Sequence, residues 1–93
     1  MFQRINAGTI KSSDGFFIKI DLHTLVYQED EQHLILLEIE HLMNPDGIAI
    51  YAKNNLHAWN ASLKETLTQV KKEQIMQRIK NALNFADIKY EIE

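Results

Sequence analysis

Apolar and polar residues alternate most sharply between residues 33 and 53. Ile35, Leu37 and Ile39 fall on one side of an extended chain and Leu36, Glu38 and Glu40 on the other. This is the period-2 pattern of a strand with one buried face. Asn44-Pro45-Asp46-Gly47 follows as a turn. Pro45 pre-sets φ at the second turn position, Asp46 suits the third, and Gly47 accepts φ > 0 where the chain rejoins the ladder. Residues 48–52, Ile-Ala-Ile-Tyr-Ala, then run back as a nearly all-apolar strand. The stretch predicts the central hairpin of a sheet.

The residues before it read as a meander. Residues 9–11 form a short strand that ends in Ser12-Ser13-Asp14-Gly15, a hairpin signal because Asp-Gly readily adopts φ > 0. Phe16, Ile18, Ile20 and Leu22 alternate with Phe17, Lys19 and Asp21 as a half-buried strand. Leu25 and Tyr27 continue as a short strand after a break over 21–24, and residues 28–32, Gln-Glu-Asp-Glu-Gln, are polar enough to predict an exposed turn. Beyond Lys53 the pattern loosens at Asn54-Asn55, and Leu56-His57-Ala58-Trp59-Asn60 fits a further short strand or an ordered loop.

The period then changes. Ile75, Ile79, Ala82, Leu83 and Ala86 recur at i, i+4, i+7, i+8 and i+11, one stripe of an amphipathic helix, with Lys72, Glu73, Arg78 and Lys80 assigned to water. Thr66 or Thr68 can cap its start, and Thr66 with Gln69 makes a capping box. Ile88-Lys89-Tyr90-Glu91-Ile92 alternates again and predicts a last strand along a sheet edge. The expected fold is α+β: a curved antiparallel meander of about five to six strands, with one long C-terminal helix packed on it and a short final strand. The boundaries are a single domain over 1–93, with sheet 8–60, helix 67–86 and final strand 88–92.

Size and charge narrow the function. Ninety-three residues suit one small domain with little spare core for a deep cavity. There is no cysteine, hence no disulfide, thiolate metal site or thiol nucleophile, which fits a reducing cytoplasm. The N-terminus has no apolar run of signal-peptide length, and no transmembrane stretch is expected. Charge is uneven. Residues 1–63 carry four basic and eight acidic side chains, whereas residues 64–93 carry six and five. This is no nucleic-acid footprint; an acidic sheet half suits a basic protein partner.

No catalytic constellation stands out. His23, His33, His41 and His57 are scattered, and His33 and His41 on one strand would lie ~26 Å apart, so no metal site is expected. Ser12, Ser13 and Ser62 lack a partner set for nucleophilic catalysis, and the isolated glycines make no phosphate loop. Glu38 and Glu40, ~7 Å apart along one strand face, have the spacing of a glycosidase-like acid/base pair, but a solvated face explains them more simply. A further reading joins them with Glu29, Asp30 and Glu31 as an acidic partner-binding surface. Trp59 either anchors its loop against the helix or serves as an interface hot spot.

The order of features resembles the immunity protein 74 family of bacterial polymorphic-toxin systems. The likeness runs over roughly residues 8–92. It rests on Ile48-Ala49-Ile50-Tyr51-Ala52-Lys53, Leu56-His57-Ala58-Trp59, the helical Lys72-Glu73-Gln74-Ile75-Met76-Gln77-Arg78-Ile79 with Ala82-Leu83-Asn84-Phe85, and the closing Ile88-Lys89-Tyr90-Glu91-Ile92. The resemblance implies a small cytoplasmic protein that binds and neutralises a cognate secreted toxin stoichiometrically, without catalysis or cofactor. The expected partner is a toxin domain with a basic surface, met by Glu29, Asp30, Glu31, Glu38 and Glu40, with Tyr51 or Trp59 as aromatic anchor. Nucleic acid and membrane are not expected partners.

Two alternatives stay open. The first is a homo-oligomeric structural or regulatory interaction module joined through Leu34 and Leu36, possible as a homodimer. The second, below it, is a small hydrolase using the paired glutamates.

Overall fold

A computed structural model describes residues 1–6, 8–43, 46–52 and 67–93. Among them seven strands form one sheet in chain order: β1 (Phe2–Asn6), β2 (Thr9–Ser12), β3 (Phe16–Ile20), β4 (Thr24–Gln28), β5 (Leu34–Met43), β6 (Asp46–Tyr51) and β7 (Tyr90–Ile92). Helix α1 (Gln69–Phe85) lies between β6 and β7 in the chain. The first six strands pair antiparallel with their neighbours, and β7 runs parallel to β6. The fold is α+β, a meander closed by a helical crossover of the kind a parallel pair requires.

One face of the sheet is buried by the helix. Ile10, Phe16, Ile18, Leu25, Tyr27, Ile35, Leu37, Ile39, Ile48 and Ile50 form a single cluster with Leu67, Ile75, Ile79, Ala82 and Leu83. The cross-strand register explains the set. Ile10 pairs with Ile18, Ile18 with Tyr27, Tyr27 with Ile35, and Ile39 with Ile50, so all stand on one side of the pleat. Every apolar position on the alternating stretch of β5 lands where its period placed it.

Several boundaries differ from the sequence reading. The sheet starts at Phe2, not at residue 8, because the edge strand β1 pairs with β2 from Phe2↔Ser12 onward. The break after β3 comes at Asp21, which leaves Leu22 70% exposed instead of on the buried face. At the β2–β3 turn, Ser12 pairs with Phe16, so three residues intervene. Gly15 takes φ +93 there and Ser12 Oγ accepts the Asp14 N–H at 3.0 Å. That is a three-residue hairpin with the glycine in the left-handed region. At the β5–β6 hairpin Met43 pairs with Asp46, so Asp46 belongs to the ladder and not to a turn position. Asn44 and Pro45 lie outside the described residues, as do Leu56, His57, Trp59, Ser62 and Thr66.

Helix α1 is bounded by specific caps. Thr68, extended at φ −73 and ψ 162, accepts the Lys71 N–H on its hydroxyl at 3.1 Å. Replacing Thr68 by alanine is expected to lower stability by about 1 kcal/mol. An unchanged urea midpoint would show that the cap does not contribute. At the other end Asp87 takes φ 57, its N–H meets the Asn84 carbonyl at 3.2 Å, and the Ile88 N–H meets the Leu83 carbonyl at 2.9 Å. This is a Schellman closure with aspartate in the glycine position, and it turns the chain directly into β7.

Candidate interaction surface

The acidic residues singled out from the sequence do not form one surface. Glu29, just past β4, turns to the helix-covered side. Its Oε2 accepts the Tyr27 hydroxyl at 2.5 Å, Lys71 Nζ at 2.7 Å and Arg78 NH1 at 3.1 Å. Arg78 also donates to the Tyr27 oxygen at 3.0 Å, and its guanidinium stands 5.0 Å over the Phe16 ring, which stacks on Tyr27. Arg78 is therefore not a water-facing residue of the helix. Its stem and planar head lie across the end of the core, held by the Glu29 carboxylate from the sheet.

Burial shapes the protonation of this group. Burial, reinforced by the hydrogen bond to Glu29, pushes the Tyr27 hydroxyl well above its usual range. Burial alone would also raise the Glu29 carboxyl. Hydrogen bonds from Lys71 and Tyr27, with the charges of Lys71 and Arg78, outweigh that and hold it below the usual carboxylate value. Arg78 is raised, first by its bond to Tyr27. The cluster is a clamp between sheet and helix.

Asp30 organises the turn between β4 and β5. Its Oδ1 accepts the backbone N–H groups of Gln32 at 2.8 Å and His33 at 2.9 Å, and meets the His33 ring Nδ1 at 2.8 Å. The bond from Gln32, then that to His33, lowers its carboxyl. Glu31 beside it is exposed.

Glu38 and Glu40 stand on the opposite, outward face of the sheet. Glu38 pairs across strands with Thr24 and Tyr51, and Glu40 pairs with Ala49. The Tyr51 hydroxyl donates to Glu40 Oε2 at 2.7 Å, and this bond raises the tyrosine. Glu91 of β7 joins them by pairing with Ala49. Next to these acids the same face carries Phe17, Val26, Leu34 and Leu36, with Lys11 and Lys19 beyond. The structure thus brings Glu38, Glu40 and Tyr51 together and parts them from Glu29; Trp59 lies outside the described residues.

Glu91, Phe17 and Val26 were missed as site residues, while Leu34 and Leu36 were expected only as a subunit contact. The outward parity of Phe17 and Lys19 and the order of the meander were legible, but the register that aligns Lys19 with Val26 and Leu36 was not.

Among the described residues no three His, Asp or Glu side chains gather around a point where a metal ion could sit. No described helix is long and apolar enough to cross a membrane. A groove of about 620 Å³ opens on the helix side between Ile20, Leu22, His41 and Ile88, away from the paired glutamates.

The chain matches no family model, no curated protein and no solved structure.

Its functional reading therefore rests on the outward sheet face, where a rigid backbone displays acids beside apolar side chains. Such a surface suits protein recognition, in which apolar contact holds a partner and charge guides its approach.

Proposed function

We propose that this protein is an immunity-type inhibitor, a cytoplasmic binder that neutralises a cognate secreted toxin by stoichiometric contact. The observation that carries this reading is the outward face of β5 to β7. Glu38 and Glu40 of β5 and Glu91 of β7 flank β6 there, with Tyr51 of β6 hydrogen-bonded to Glu40 and Leu36 41% exposed alongside. A paired antiparallel core presents these groups with little ordering left to do on binding. The partner it fits is a protein with a basic surface, captured by charge and held by the neighbouring apolar row. The likeness to the immunity protein 74 family supports the same reading.

A pull-down from the native host, washed at low and high salt, tests it. The expected result is one stoichiometric protein partner that is basic at its contact surface and is released by salt. Glu38→Lys with Glu40→Lys should then slow association about tenfold or more at low salt and flatten its salt dependence. Association unchanged in that double variant would remove the acidic face as the binding site. A host lysate that yields no protein partner would remove the inhibitor reading.

A further inference from the structure

The outward face of the sheet carries opposite charges on its two halves. β4 is the middle strand of seven in the order β1-β2-β3-β4-β5-β6-β7. On one side of it the outward cations are Lys11 and Lys19; on the other the outward anions are Glu38, Glu40 and Glu91. Between them run the apolar rows, in which Val26 pairs with Leu36, and Phe17 and Leu34 both pair with Gln28. Lys11, Lys19, Glu38 and Glu91 are exposed and make no ion pair among the described residues.

We propose that this face binds a second copy of the chain about a two-fold axis running along β4. That rotation lays β3 of each copy over β5 of the other, while β2, level with Leu34 to Leu36, falls beyond the end of β6. Lys19 then faces the strand bearing Glu38, one pleat repeat (~7 Å) away along it and within the reach of a lysine stem. Each copy makes the same contacts, as a two-fold interface requires. The apolar rows meet at the centre at the ~10 Å spacing of stacked sheets. A two-fold axis running across the strands would instead lay each strand over its own copy, acidic strands on acidic and basic on basic, so charge selects the first arrangement.

Self-association of this kind does not depend on the identity of any other partner. It does use Glu38, so a second copy and a basic partner exclude each other, and the free protein keeps its apolar rows covered until a stronger cation displaces its twin.

Sedimentation of the purified chain from about 1 μM to 1 mM, a range of weak to moderate affinity, tests the proposal without any partner. The expected mass rises to that of two copies and falls back when salt is added. Lys19→Glu and Glu38→Lys should each weaken the dimer at least tenfold, since like charges then meet. Mixing the two variants one to one should restore a heterodimer, because each junction again pairs opposite charges, and this restoration shows that both variants are folded. A wild-type monomer throughout the range overturns the proposal. So does a dimer that survives both reversals, which would point to edge pairing through β1 or β7, and so does a mixture that stays monomeric.

Discussion

Gly47→Ala is expected to destabilise the protein by about 2–4 kcal/mol, a large part of the stability of a domain this size. Two separate features of the position act together. Gly47 sits at φ +154, which side-chain-bearing residues rarely adopt. A Cβ there would also lie 2.6 Å from the Lys89 carbonyl oxygen. That oxygen is not free to move, because it accepts the Ile48 N–H at 3.0 Å and so begins the pairing of β7 with β6.

The damage should therefore be local in structure as well as global in energy. Amide exchange at Ile48, Ala52 and Glu93, whose N–H groups tie β6 to the last strand, should accelerate more than exchange at the buried positions of β4. Urea denaturation gives the energy and exchange gives the place. A variant with wild-type stability would mean that the β6–β7 junction relaxes at no energetic loss.

Glu29→Gln is expected to lower stability at neutral pH by about 2 kcal/mol and to remove part of the acid dependence of unfolding. The carboxylate is the common acceptor of Tyr27, Lys71 and Arg78, and its side chain is only 19% exposed. An amide keeps the size but leaves two cations near a neutral group. The sign with pH follows from the lowered carboxyl of Glu29. A group whose folded value is depressed stabilises above its unfolded value, near ~4.3, and that contribution is lost as pH falls through the folded value.

Wild type and Glu29→Gln should then differ most above about pH 5 and converge in strong acid. Arg78→Ala should be comparable in size, and the double variant should lose less than the two single losses combined, since both act on one cluster. Equal stability of wild type and Glu29→Gln at pH 7 would show that the clamp is replaced by water at no loss. Strictly additive losses would show that Glu29 and Arg78 act independently.

The legible and illegible parts of the site divide along a physical line. Glu38, Glu40 and Leu36 could be placed outward because a strand of alternating residues has only two faces, and Ile35, Leu37 and Ile39 occupy the buried one. Glu29 could not be placed in the same way. In a polar run it reads as solvated, and only the return of the helix, with Lys71 and Arg78 separated from it by more than forty residues, draws it inward. Arg78 was misread for the same reason. Helical periodicity marks it as off the apolar stripe, yet it lies at the stripe's margin, where a long side chain can cross the end of the sheet to Tyr27.

β1 was overlooked because Phe2-Gln3-Arg4-Ile5-Asn6 does not alternate, and as an edge strand it owes its conformation to pairing with β2.

By itself, then, the sequence determined what depends on local period and local geometry. It set the two faces of β5, the buried stripe of Ile75, Ile79, Ala82 and Leu83, the capping of the helix by a threonine, and the presence of a closing strand. These follow from repeat distances of the backbone and from side chains acting on residues within one turn. The tertiary structure alone decided the register between the strands of the meander and which of them the closing strand joins. From that follow the parallel pairing of β7 with β6, the clamp of Glu29 on Lys71 and Arg78, and the division of the outward face into a basic and an acidic half about β4. Each depends on residues distant in the chain meeting at a defined register, and no repeat within a single segment carries that information.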